Sequence, residues 1–432
     1  NVPRDFWTQV VDIELPSIIE FERPAGGASA ISEAAELLSN AKFPVILSGA
    51  GVVLADAIED CKNIAEKLDA PVACGYQHND SFPGKHPLAV GPLGYNGSKA
   101  AMEIISKADV VLALGTRLNP FSTLPGYGID YWPKEAKIIQ VDINSDRIGL
   151  AKKISVGICG DAKLVAKQIL DQLSSTAGDD GREDRKALIH QTKSSWLQTL
   201  TSLDHEEDDE GTSWNKDSRE RDPDRMSPRM AWRAIQAGLP DNAIISSDIG
   251  NNCAIGNAYP TFEQGRKYLA PGLFGPCGYG FPSVLGAKIG CPDTPVVGFS
   301  GDGAFGISMS EMTSCSREEW PNITMVIFRN YQWGAEKRNT TLWYDNNFIG
   351  TELDPKLSYA KIADACGFKG VKVTTQSELT EALKASCVDQ MNGITTFIEV
   401  ILNQELGEPF RRDAMKAPVE VAGINSQDTV AQ

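Results

Sequence analysis

The chain has 432 residues, 42% hydrophobic and 23% charged, with a formal net charge of −16. At roughly 100–200 residues per domain, that length predicts two or three domains. The acidic balance without a basic patch excludes nucleic acid as a partner, and no apolar run approaches the ~20 residues that span a bilayer.

Nine cysteines form no Cys-x-x-Cys pair. Buried, reduced thiols in a cytoplasmic protein are the expectation. Asn1-Val2-Pro3-Arg4-Asp5 carries neither an initiator Met nor a targeting pattern and reads as a cut.

From Ala28 to Leu173 helix and strand alternate. Ile31, Ala34, Leu38 and Ala41 share one helical face ahead of the apolar run Val45-Ile46-Leu47. Ile58, Cys61, Ala65 and Leu68 mark the next helix, followed by the strand-like Pro71–Cys74, a turn-rich stretch through Gly97, a helix over Lys99–Lys107, and strands at Val110–Leu114 and Lys137–Ile143. Such alternation predicts a parallel sheet covered by helices on both faces. Residues 174–226 read as a linker with one helix around Trp196, and the acidic run Glu206–Glu210 as a solvated charge cluster.

A second α/β unit spans 227–403. Ser227-Pro228 predicts an N-cap with Pro at the first helical position, leading into a helix over Arg229–Ala237. Strands are expected at Ala243–Ser247, Val296–Ser300, Ile323–Arg329 and Thr395–Ile401. Helices are expected at Ser283–Ile289, Ser308–Arg317, Tyr359–Cys366 and Glu378–Ser386. Residues 404–432 form a tail. The fold class is therefore α/β, with two doubly wound parallel-sheet domains, 28–173 and 227–403.

The sharpest chemical signal is the apolar strand Val296–Ser300 emptying into Gly301-Asp302-Gly303-Ala304. Strand ends of open α/β sheets bind ligands, and glycines let backbone approach an anion closely. Asp302 supplies a hard oxygen for magnesium or calcium. Alone, Gly-Asp-Gly closes many ordinary turns. The next strand ends in Arg329-Asn330-Tyr331-Gln332, placing Asn330 twenty-eight residues after Asp302. One crossover helix between parallel neighbours brings these strand ends together, so Asp302, the Asn330 amide oxygen and a carbonyl near Gln332 form a candidate metal-ligand set.

This pair resembles the motif of the thiamine-diphosphate-dependent enzymes related to acetolactate synthase and pyruvate oxidase. Ser247-Asp248-Ile249-Gly250-Asn251-Asn252 is similar to that family's diphosphate-side loop, and Gly275 to Pro282 to its glycine-rich segment. The resemblance implies thiamine diphosphate and Mg2+ as cofactors. Gly250, Asn251, Asn252, Gly275, Cys277, Gly278, Gly301, Asp302, Gly303, Ala304, Asn330 and Gln332 would bind them. Cys277 stands where many relatives carry a bulky wedge under the bent cofactor. The first unit resembles the family's middle domain, where some relatives bind FAD or ADP. Residues 1–27 resemble the end of a preceding pyrimidine-binding domain. That domain carries the glutamate driving ylide formation, so this chain alone is expected to be inactive. A homodimer or homotetramer with its active site at a subunit interface is also implied.

Gly75–Asp80, Gly91–Gly97 and Asn330–Asn339 resemble the branch of the family that makes acetyl phosphate and sulfite, implying sulfoacetaldehyde and phosphate as substrates. Both are anions, so an acidic protein needs local cations. The candidates are Arg329, Lys337, Arg338, Arg411 and Arg412, each weighed against an ordinary surface or paired residue. Trp333 is a candidate pocket wall or core residue. His78 reads as a proton shuttle, a sulfonate donor or a loop hydrogen-bonder, and Glu336 as an acid, a base or a helix-surface residue. The rival readings are acetolactate-synthase-like carboligation and a noncatalytic nucleotide-binding module, although Leu54 breaks the full dinucleotide fingerprint after Gly49-Ala50-Gly51.

Overall fold

The computed structural model describes residues 2–10, 12–19, 21–177, 181–205, 217–218, 220–272 and 274–406. The acidic run 206–210 and both tail arginines, Arg411 and Arg412, lie outside them.

In the first domain the strands are β1 (Pro44–Ser48), β2 (Val72–Cys74), β3 (Ala89–Pro92), β4 (Val110–Leu114), β5 (Lys137–Asp142) and β6 (Val156–Cys159). They form one parallel sheet in the order β3-β2-β1-β4-β5-β6. Every residue of β1 and β4 is buried, which is why those strands read as unbroken apolar runs rather than alternating ones. Helices Ala28–Ser39, Ile58–Leu68 and Ala162–Gln172 pack together, as does Lys99–Ile105 with the long helix Arg182–His205. Right-handed crossovers on either side of the strand-order reversal put these two groups on opposite faces.

The second domain contains β7 (Ile244–Ser247), β8 (Tyr268–Leu269), β9 (Val296–Gly301), β10 (Thr324–Arg329), β11 (Lys369–Val373) and β12 (Thr396–Ile401). Their order is β11-β12-β10-β9-β7-β8, again all parallel. Helix Pro228–Gly238 starts as the sequence predicts, with Ser227 Oγ accepting from the Met230 amide at 3.2 Å. It drives Trp232 onto Phe299 and Phe328, with centroids 4.9 and 5.5 Å away, while Phe281, Phe305 and Phe397 form another core cluster.

Four strands escape the pattern reading. β8 has two residues, β3 is an edge strand containing Gly and Pro, and β6 and β11 lack a continuous buried run. The helix expected at Ser308–Arg317 is displaced. It begins at Asp302, runs to Ser308, tightens into a 3-10 turn over Met309–Glu311 and resumes at Met312–Cys315. All nine cysteines are free; four are buried, whereas Cys159 and Cys291 are exposed. No helix of the described residues is long and apolar enough to cross a membrane.

The loop after β2 docks on the second domain. Asn79 Nδ2 donates to the carbonyls of Asn257 (2.9 Å) and Pro260 (2.8 Å), and Asp80 Oδ2 accepts from the Lys267 and Tyr268 amides at 2.9 and 3.2 Å. These buried polar bonds place His78 between the domains.

Candidate functional site

The register of β7, β9 and β10 aligns their C-terminal ends, because Ser247 lies beside Phe299 and Gly301 beside Phe328. The strand order reverses between β7 and β9, the topological switch at which open α/β sheets bind ligands. A cavity of about 180 Å³ opens there, walled by Gly250–Asn252, Gly275, Cys277, Gly301–Ala304 and Asn330–Glu336 without Tyr331.

Two glycines shape it. Gly250 has φ of 128°, a conformation side chains rarely adopt, and it turns the chain into the short helix Asn251–Ile255. A Cβ on Gly303 would lie 2.8 Å from the Trp333 ring, so glycine lets that indole close over the backbone. Trp232 Nε1 donates to the Asn252 carbonyl at 2.7 Å, tying this helix to the core.

Asp302 is 1% exposed. Its Oδ1 accepts from the Gly303 amide (3.0 Å), and its Oδ2 from Tyr331 N (2.7 Å) and Arg329 Nη1 (3.0 Å). Burial pushes its carboxyl up to about 6, against the opposing pull of Arg329 and the two amides. One end of the Asn330 amide lies 3.3 Å from both Asp302 Oδ1 and the Gln332 carbonyl oxygen, and the other lies 3.2 Å from Asn252 Nδ2. Two oxygens therefore converge on an amide end that is either a nitrogen bonding to both or an oxygen completing a set of three. Asn251 Nδ2, Asn252 Oδ1 and Gln332 Oε1 are buried without partners among the described residues. The described residues hold no cluster of three His, Cys, Asp or Glu side chains, so an amide and a carbonyl must complete any cation shell here.

Several expected residues lie elsewhere. Arg329 is fully buried behind Asp302 and bonds to that carboxylate and the carbonyls of Asp354 and Leu357, so it is not a substrate cation. Lys337 is 2% exposed and paired with Glu352, again away from the cavity. The Gly278 amide turns to Asp248 rather than lining the pocket. Glu336 is exposed at the cavity wall, and half-buried Cys277 is held as a thiol by burial, with Asp248 and Glu336 adding to the effect.

Asp248 is a site residue the motif reading passed over. Fully buried, it accepts from Ile249 N (2.8 Å), Gly278 N (3.1 Å), Gly280 N (2.9 Å) and Ser300 Oγ (3.0 Å). Burial raises its pKa while these four donors oppose the shift. One carboxylate thus latches the glycine-rich segment to β7 and β9. An Asp directly after a buried strand was the available signal.

His78 and Arg338 line a second cavity, between the domains. Burial, and then the charge of Arg117, lower His78 to about 4, so its imidazole is neutral near pH 7. The unfolded chain takes up a proton below the ordinary value of 6.5 that folded His78 resists until about 4. Stability therefore falls as pH drops through that window. Urea unfolding at pH 7 and pH 5 is expected to show a smaller acid loss for His78→Gln than for the parent; an equal loss would refute the shifted histidine.

Strand ends in the first domain enclose a third cavity, with Gly51, Gly115, Arg117 and Asp142 among its walls.

Family models agree with this organisation. Residues 31–169 match the thiamine pyrophosphate enzyme central domain, and residues 248–400 the thiamine pyrophosphate enzyme C-terminal TPP binding domain. The chain is 76% identical over its whole length to a probable sulfoacetaldehyde acetyltransferase of Rhizobium meliloti, covering 73% of that protein. It is 72% identical over 99% of its length to the sulfoacetaldehyde acetyltransferase of Roseovarius nubinhibens, covering 71% of it. A probable acetolactate synthase large subunit of Methanococcus aeolicus is 29% identical over 89% of this chain and 64% of its own. The chain belongs to the sulfoacetaldehyde acetyltransferase family of thiamine pyrophosphate enzymes.

Proposed function

We propose that the chain serves a thiamine-diphosphate-dependent acetyltransferase that converts sulfoacetaldehyde and phosphate to acetyl phosphate and sulfite. The observation that carries the cofactor half of this reading is the convergence of Asp302 Oδ1, the Asn330 amide and the Gln332 carbonyl at 3.3 Å separations beside a glycine-walled cavity. Asp302, the Asn330 amide oxygen and the Gln332 carbonyl would hold a Mg2+ ion, which would offset the charge of a diphosphate at this cavity. With that ion, Asn330 would present its oxygen to the cation and its nitrogen to Asn252, whose unpartnered Oδ1 would accept it. Gly250–Asn252 and Gly301–Ala304 would hold the diphosphate through backbone and amide donors, while Trp333 would limit water on the Gly303 side. Arg329 fixes the Oδ2 of Asp302, which would leave its Oδ1 for the cation.

Thiamine diphosphate, when bound, supplies an electron sink for carbanion chemistry next to a carbonyl. The substrate half rests on the close similarity to sulfoacetaldehyde acetyltransferases, against 29% identity to an acetolactate synthase relative. A homodimer or homotetramer with the site at a subunit interface belongs to this reading. The test is sulfite release. With thiamine diphosphate, Mg2+ and phosphate, the full-length enzyme, pyrimidine-binding domain included, is expected to form sulfite and acetyl phosphate in equal amounts from sulfoacetaldehyde and no acetolactate from pyruvate. The opposite pattern would move the reading to carboligation.

A further inference from the structure

The diphosphate cavity adjoins the interdomain cavity of about 310 Å³, and the two share Gly250, Asn251, Gly275 and Ala335 among their walls. In a chain of net charge −16, this second cavity has two arginines and no carboxylate among its described walls. Such a lining favours an anionic ligand, because burying a guanidinium group costs hydration that a bound anion offsets.

Arg338 is set in place. It is 7% exposed, Nη1 donates to Asn251 Oδ1 at 3.0 Å, and its guanidinium lies 5.0 Å from the Tyr95 ring centroid. Asn251, 4% exposed, keeps its Nδ2 without a partner among the described residues, on the wall common to both cavities. Across the domain junction Arg117 follows β4, and its field is felt at His78 in the same recess. Burial disfavours the Arg117 charge, Arg147 adds to that effect, and Asp142 opposes it. Neutral His78 adds a hydrogen-bonding group without a competing charge.

We propose that this interdomain cavity is the oxyanion subsite of the enzyme, in which Arg117 and Arg338, from different domains, receive the tetrahedral oxyanion of a substrate beside the Asn251 amide. The planar donor fork of arginine suits such a group. The assignment rests on the acetyltransferase reading above. That reaction offers two oxyanions of this shape, the sulfonate of sulfoacetaldehyde and inorganic phosphate. The subsite also explains why the cations nearer the metal loop, Arg329 and Lys337, are committed to other partners.

Two arms test it on the full-length enzyme, pyrimidine-binding domain included, loaded with thiamine diphosphate and Mg2+, comparing the parent with Arg117→Gln and Arg338→Lys. In the first, inorganic phosphate and methanesulfonate are titrated calorimetrically. At least one is expected to bind about tenfold or more weakly to each variant, while Arg117→Gln keeps the parent's affinity for thiamine diphosphate. In the second, sulfite and acetyl phosphate are measured separately. If phosphate sits here, its KM rises and acetate replaces acetyl phosphate at low phosphate while sulfite release continues. If the sulfonate sits here, the KM for sulfoacetaldehyde rises at saturating phosphate and both products fall together. Either pattern supports the subsite. Unchanged anion binding and unchanged KM values in both folded variants would overturn it. A parent enzyme that releases no sulfite would instead sink the acetyltransferase reading, and the titrations would still decide whether the cavity binds an oxyanion.

Discussion

Asp302→Ala is expected to remove magnesium-dependent binding of thiamine diphosphate, with the dissociation constant weakened by at least ~100-fold. Losing even an indirect partner of a metal ligand costs roughly 10–100-fold, and Asp302 is proposed as a direct one. The substitution also breaks a buried ion pair. Arg329 would keep its bonds to the carbonyls of Asp354 and Leu357 and its longer ion pair with Glu399 (3.8 Å) but lose its hydrogen-bonded carboxylate; removing one partner of a buried pair costs about 3–5 kcal/mol, and Glu399 holds the loss toward the lower end. Asp302→Asn separates the two effects. It keeps the shape and one amide oxygen, so it is expected to be more stable than the Ala variant while still binding cofactor poorly. Calorimetric titration with and without Mg2+, beside urea unfolding, reads both. Cofactor binding by the parent that ignores Mg2+, or full affinity in Asp302→Asn, would remove Asp302 from the metal site.

The second large effect is expected at Asp248. In Asp248→Asn one terminal oxygen can still accept from Ile249 and Gly278, but the other end becomes a donor facing the Gly280 amide. Ser300 can rotate its hydroxyl to accept, whereas the Gly280 N–H cannot, so one buried donor is orphaned at a cost of about 1–3 kcal/mol. The glycine-rich segment also loses part of its latch, and cofactor affinity is expected to fall with it. The urea midpoint should drop without a change in slope. An unchanged midpoint would mean that Asp248 is already protonated and does not latch the segment as a carboxylate.

Periodicity carried most of the fold because the central strands are buried on both faces. β1, β4, β9, β10 and β12 appear in the sequence as apolar runs, and the structure puts them in sheet interiors. β11 mixes Lys369 and Lys372 with Gly370, Val371 and Val373 at an edge without alternating, so its strand state comes from pairing with β12 rather than from its own pattern. The start of the helix at Asp302, six residues earlier than its apolar pattern suggests, has the same kind of cause. Glycine-rich turns give no periodic signal, and the loop–helix junction is fixed by Arg329, Tyr331 and Tyr359 folding over it.

For the candidate site, the sequence by itself determined the local chemistry: two strands of the right spacing that end in Asp302 and Asn330, and the glycines that let an anion approach backbone. Local spacing suffices there because neighbouring parallel strands joined by one helix bring their ends together. Which arginines line a cavity and which brace the framework was decided only by tertiary structure. Arg329 and Arg338 stand nine residues apart in one motif, yet the first is buried behind a carboxylate and the second lines a cavity completed by Arg117 from the other domain. A guanidinium's role depends on the partners that folding brings within reach, and residues 117 and 338 line one cavity only because two separate sheets dock through the loop after β2.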